Sequence, residues 1–225
     1  MTNDIKKDFR LYAKDKGVSG LYFDDYTKHI TNNSLTPIIL EERKMNVTGL
    51  DIYSRLLYDR IIFFGESFND DTCNLVIAQL LYLNSLSKDD INIYIMSPGG
   101  SVAAGFGLID TMSFIGCDVA TTCLGMAASM GALLLSCGNK GKRSVLPHSR
   151  VMIHQVSSGI PQSTYADMKV SLETTKRFND DVFALLSKNM GKSIEEIEEL
   201  CNRDKWFVGQ EAIDIGIADK MIKSE

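Results

Sequence analysis

Several things are scarce in this chain, and each scarcity removes a class of function. No cluster of five or more Lys and Arg occurs, and the formal net charge is −5, which argues against a nucleic-acid partner. No apolar run reaches the roughly 18 residues of a membrane span. The first residues, MTNDIKKDFRLYAKDKG, are charged throughout and lack the apolar centre of a secretory signal. No CxxC occurs among the five cysteines (Cys73, Cys117, Cys123, Cys137 and Cys201), so reduced, buried thiols in a cytoplasmic protein are expected. Only three histidines are present, and their spacing to the cysteines makes no metal-ligand set. Internal repeats and low-complexity segments are absent.

What remains is 225 residues of ordinary globular composition, 44% hydrophobic and 24% charged. Residues 1–34 mix charge and aromatics without a clean period and read as an extension, processed or partly ordered. From Leu50 the pattern tightens. A short helix over DIYSRLLYDR precedes the apolar strand Ile61–Phe64, and Asp70 opens a helix through NLVIAQLLYLNSL. The strand Ile91–Met96 leads to SPGG, then a helix to about Ile115, the strand Val119–Cys123, the loop GMAASMG and its helix. This alternation predicts an α/β fold with a mostly parallel sheet covered on both faces. SVLP and RVMIH read as short strands. Thr164 and Asp167 form a helix-capping pattern that opens a long helix to Met190. Its stripe through Met168, Leu172, Phe178, Val182 and Leu186 packs either on its own sheet or against another subunit. Ser193 to Glu196 opens another helix, and GQEAIDIG closes the chain with a short one ending at Gly216.

GMAASMG, residues 125–131, sets one hydroxyl, Ser129, among small residues just before the apolar run Ala132–Leu135. A serine at the start of a buried helix sits near unpaired N–H groups and the positive end of the helix dipole. That environment suits a nucleophile that generates an oxyanion, and equally a serine that merely caps the turn. A nucleophile needs a base. His29 lies in the irregular extension and His148 follows Pro147 in a loop, whereas His154 ends the apolar strand VMI, where a parallel-sheet enzyme puts catalytic side chains; a lone histidine there is more often structural, and pairing with Ser129 would reverse that. Asp204 is placed to orient the imidazole, but the chain has 29 acidic residues and spacing does not single it out. Gly99-Gly100 lets backbone amides approach a ligand, or makes a tight turn. The glycines fit neither the dinucleotide fingerprint nor a phosphate-binding loop. The serine is not in a G-x-S-x-G elbow, and the order Ser, His, Asp is unlike those of the common serine hydrolases.

SPGGSVAAG and GMAASMGALLLSCGNKGKRSVLPHSRVMIHQ, with DIYSRLLYDRIIF, NLVIAQLLYL and NRDKWF, closely resemble the proteolytic subunits of the ATP-dependent Clp proteases. The resemblance runs from about Leu35 to the C-terminus. It implies a crotonase-like α/β core of βαβ units in residues 35–225, with a protruding strand–helix handle over about 155–190. It further implies a serine endopeptidase acting on unfolded polypeptides in protein quality control and regulated degradation. Residue by residue, it makes Ser129 the nucleophile, His154 the base and Asp204 the orienting acid, with the oxyanion held by the amides of Gly100 and Met130. It implies no metal and no cofactor in the subunit, because ATP is used by a partner AAA+ unfoldase. The assembly implied is a tetradecamer of two stacked heptameric rings, with no membrane or nucleic-acid partner. Three features depart from the family pattern. Met96 stands where Asn usually precedes SPGG. VSSGIPQST, with Pro161, replaces a segment that commonly begins with Pro and carries Gly-Gly and Gln-Gly. Residues 1–34 lie beyond the core match. Two rival readings share the fold: an acyl-CoA enzyme of crotonase type, which would not need the three side chains, and a non-catalytic ring subunit.

Overall fold

The structure, a computed structural model, describes residues 38–43, 46–159 and 164–222. The expected extension 1–34, with His29, lies outside the described residues, as does Pro161. Two compact units divide between Asp59 and Arg60. In the first, β1 (Ile38–Arg43) pairs antiparallel with β2 (Asn46–Asp51), and α1 (Ile52–Tyr58) follows at once. Asp51 starts that helix by accepting the N–H groups of Tyr53 and Ser54, both at 3.0 Å.

The second unit is the α/β core. Its strands are β3 (Ile61–Phe64), β4 (Ile91–Ser97), β5 (Val119–Ala128), β6 (Arg143–Val145), β7 (Arg150–Ile153), β8 (Lys205–Val208) and β9 (Lys220–Met221). The sheet runs β3-β4-β5-β6-β9, all parallel, and β7 pairs parallel with the far end of β5 and antiparallel with β8. Helices α2 (Asp70–Leu86), α3 (Val102–Phe114) and α4 (Met130–Ser136) connect the parallel strands. Of the expected cover on both faces, one face is complete. Ile91, Ile93 and Ile95 are fully buried, whereas Asn92 and Tyr94 are half-buried and Met96 is exposed. The sequence INIYIM alternates, and the strand follows that alternation.

Two local differences from the sequence reading bear on the site. The residues expected to form a loop, 125–128, continue β5. They do so because the strand changes partner there: Thr121–Cys123 pair with β6, then Met126–Ala128 pair with β7. Gly125, at φ 75°, takes the bend between the two pairings. In addition, KWFV forms β8, a strand the sequence reading did not expect.

All seven residues of α4 are buried, so the helix after GMAASMG is a core element. Leu133, Leu134 and Leu135 each lose nearly all their accessible surface, about 2 kcal/mol apiece by area. The long helix α5 (Tyr165–Met190) is capped by Thr164 and splits into two halves. Val182, Phe183, Leu186 and Met190 are buried, whereas Tyr165, Met168, Val170 and Leu172 are exposed. Helix α6 (Ile194–Cys201) has the expected capping box of Ser193 and Glu196, and α7 (Gln210–Asp214) ends just before Gly216 at φ 86°. No helix among the described residues is long and apolar enough to cross a membrane.

Candidate active site

Ser129 joins β5 to α4, and its backbone is fixed from both sides. Its N–H donates to Met152 O on β7 at 2.8 Å, and its carbonyl accepts Ala132 N–H and Leu133 N–H at 3.0 and 3.1 Å. These bonds hold the residue at φ 55° and ψ −120°, a region that side-chain-bearing residues rarely occupy. Such strain costs on the order of 1–3 kcal/mol and persists only where the surroundings over-determine it. The capping alternative is answered here. Ser129 is the residue at the helix start, yet its side chain makes no capping bond. Its Oγ lies instead 2.9 Å from His154 Nε2.

His154 follows β7 directly, and Asp204 precedes β8 directly. The antiparallel register pairs Ile153 with Lys205, so the next pair along the ladder sets His154 opposite Asp204. His154 Nδ1 and Asp204 Oδ1 are 3.1 Å apart. A carboxylate only accepts, so Nδ1 carries the proton and Nε2 is left to accept the Ser129 hydroxyl. The imidazole is 22% exposed and the carboxylate 65%, so the site opens to water on the Asp204 side. His148 sits in an exposed turn.

The SPGG turn packs directly on this serine. Ser97 Oγ donates to Glu66 O at 2.6 Å and accepts Gly99 N–H at 3.2 Å, which closes the turn. Gly99 and Gly100 take φ values of 96° and 148°. A β-carbon on Gly99 would stand 2.7 Å from Ser129 Cβ, and one on Gly100 would collide with Phe68 O. Neighbouring bonds, Phe68 N–H to Gly99 O and Ser101 N–H to Phe68 O, hold Gly100 in place. Among the described residues, no backbone acceptor takes the N–H of Gly100 or of Met130, the first residue of α4. Both residues line the cleft that contains Ser129 and His154. Two free amides beside a hydroxyl suit a developing oxyanion.

The other nucleophile class present is thiol. All five cysteines are free, and burial pushes Cys123, Cys137 and Cys201 up to about 11, which leaves them protonated and inert near neutral pH. Sequence reasoning missed Gly99 as a direct neighbour of the serine, Ser97 as the fastener of the turn, and the strand that delivers Asp204.

The model of the Clp protease family matches residues 43–225. An ATP-dependent Clp protease proteolytic subunit of Porphyromonas gingivalis is 46% identical over 218 residues, which cover 96% of this chain and 97% of the relative. The protein of the same description from Bacteroides fragilis is 47% identical over 217 residues, 96% of this chain and 98% of its own. That from Bacteroides thetaiotaomicron is 46% identical over 217 residues, with the same coverage of 96% and 98%. Similarity at this level over nearly the whole of each sequence, together with the match of the family model from residue 43 onward, shows that the chain belongs to the Clp protease family.

Proposed function

We propose that Ser129, His154 and Asp204 are the catalytic triad of this Clp-family serine endopeptidase, with the Gly100 and Met130 amides as its oxyanion hole. The observation that carries the reading is the strained, uncapped Ser129, whose Oγ is bonded to His154 Nε2 while Asp204 takes Nδ1. In the acylation step Ser129 Oγ attacks the peptide carbonyl carbon and passes its proton to His154 Nε2. Asp204 stabilises the imidazolium, and the two amides donate to the tetrahedral oxyanion. His154 then returns the proton to the departing amine, and a water activated by the same nitrogen releases the acyl-enzyme. Each oxyanion donor in such a site supplies about 3 kcal/mol of transition-state stabilisation. The cleft walls, Val102, Met130, Leu133, Ile153, Val182 and Leu186, favour an apolar substrate side chain next to the scissile bond.

The subunit needs no metal or cofactor for this chemistry. ATP is consumed by an AAA+ unfoldase that delivers unfolded polypeptide to a chamber of two stacked heptameric rings in the cytoplasm. The exposed Tyr165, Met168, Val170 and Leu172 on the first half of α5 support the handle, about residues 155–190, as the contact between rings. Residues 35–225 form the peptidase domain and 1–34 its extension. A fluorophosphonate probe tests the triad: it labels Ser129, and Ser129→Ala removes both labelling and peptide cleavage. An alanine variant that still cleaves peptides at the wild-type rate would overturn the assignment.

A further inference from the structure

The chain leaving His154 has no ladder partner among the described residues, yet it is fastened at two successive positions. Gln155 N–H donates to Cys201 O at 3.0 Å, and its side-chain Nε2 donates to Asn202 O at 3.2 Å, both at the end of α6. The next residue turns to another helix: Val156 N–H donates to Asn179 Oδ1 on α5 at 3.0 Å. Asn179 is half-buried, and it lies three and seven residues before Val182 and Leu186. That spacing puts the three on one helix face. Val182, Leu186 and Val156 all line the cleft that holds Ser129. One face of α5 therefore contributes two apolar wall residues and the acceptor that fixes the wall opposite them. The bond depends on a feature of this chain. A proline at 156, which the family resemblance leads one to expect, has no N–H to give.

We infer that Asn179 is a positioning residue for substrate binding: through the Val156 N–H it holds the segment after His154 against α5 and so sets the width of the cleft for the substrate side chain. The inference rests on the reading of Ser129, His154 and Asp204 as the triad. Asn179 touches none of the reacting atoms. His154 keeps its own ties to Asp204 and, through Gln155, to α6, so loss of the Asn179 bond loosens the wall without disturbing the base.

The test uses the full-length chain in its native assembly and compares Asn179→Ala, Asn179→Asp, Val156→Pro and the double variant Asn179→Ala with Val156→Pro. A fluorogenic peptide with leucine before the scissile bond reports KM and kcat, and a small fluorophosphonate reports labelling of Ser129. Hydrogen exchange over residues 155–159 is followed in parallel, also in the Ser129→Ala background. For Asn179→Ala we expect KM to rise about three- to tenfold, the range set by one neutral hydrogen bond, with kcat and labelling unchanged. Exchange at Val156 quickens. Asn179→Asp, which keeps the acceptor, stays near wild type, and Asn179→Ala adds nothing once Val156 is proline. Unchanged exchange at Val156, or an Asn179→Ala effect equally large in the Val156→Pro background, overturns the inference. Failure of the triad reading looks different: wild-type Ser129 goes unlabelled, while the exchange comparison still judges the Asn179 bond.

Discussion

Adding one methyl group at Gly99 tests how closely the SPGG turn and the serine are machined to each other. The β-carbon of Gly99→Ala would lie 2.7 Å from Ser129 Cβ, 2.8 Å from Ala128 O and 3.1 Å from Met130 N. None of these atoms is the end of a flexible side chain, so the elbow itself must yield. Ordinary contact begins near 3.4 Å, so Ser129 or the turn moves by about 0.7 Å, close to the 1 Å scale at which catalysis suffers. A misplacement of about 1 Å at a reacting atom costs on the order of 10²-fold in rate. The new alanine also sits at φ 96°, a backbone cost to folding of about 1–2 kcal/mol that is separate from the catalytic effect. Gly141→Ala separates the two: Gly141 has φ 84°, but nothing stands within 4 Å of its added β-carbon. We therefore expect Gly99→Ala to lower kcat/KM for a fluorogenic peptide, and the rate of fluorophosphonate labelling, by about 100-fold. Gly141→Ala should leave both within about twofold of wild type at a comparable loss in Tm. Gly99→Ala activity within about threefold of wild type, or equal losses in the two variants, would refute the close-packing argument.

The remaining predictions concern stability and assembly. Arg143 is 1% exposed and forks onto Asp219, with Nη2 to Oδ1 at 2.6 Å and Nε to Oδ2 at 2.9 Å. Asp219→Asn strands that buried guanidinium and is expected to cost about 3–5 kcal/mol, read as a Tm lower by about 10 °C at fixed protein concentration. Burial pushes the Asp219 carboxyl up, but the Arg143 guanidinium and the N–H groups of Arg143 and Gly141 outweigh it and hold the group well below the usual carboxylate range. A depressed native pKa gives stability that is present above the unfolded value of 3.8 and is lost as pH falls below it. Urea midpoints of the wild type should therefore drop below about pH 4 more steeply than those of Asp219→Asn. If the first half of α5 joins the rings, Leu172→Glu lowers the mass seen by light scattering, and a wild-type protein that runs as a monomer would contradict the ring assembly.

The alternation of strand and helix from Ile61 to Ser136 was legible because each element carries its own signal: apolar strands, Asp and Ser at helix starts, Gly at turns. The places of Ser129 and His154 were legible for the same local reason, one before an apolar helix and one after an apolar strand. That of Asp204 was not, because it depends on which strand β8 joins: Trp206, Phe207 and Val208 favour a strand by composition, but nothing local names β7 as the partner. Gly125 was read as part of a loop for a related reason. The change of partner along β5 is a property of the sheet, and one glycine in a strand does not announce it. Asn179 lay inside a helical stripe as an ordinary polar residue. Its meaning depends on Val156, more than twenty residues away in sequence, and on the N–H that a proline there would lack.

The ladder between β7 and β8 also sets an order in time. A chain is synthesised from its N-terminus at about 5–20 residues per second, and Ser129 and His154 emerge well before residues 204–208. Until β8 joins β7, the imidazole has no carboxylate on its far nitrogen and no ladder to steady it. On the proposed triad, a chain that ends before Asp204 carries the nucleophile and the base without the acid that orients them.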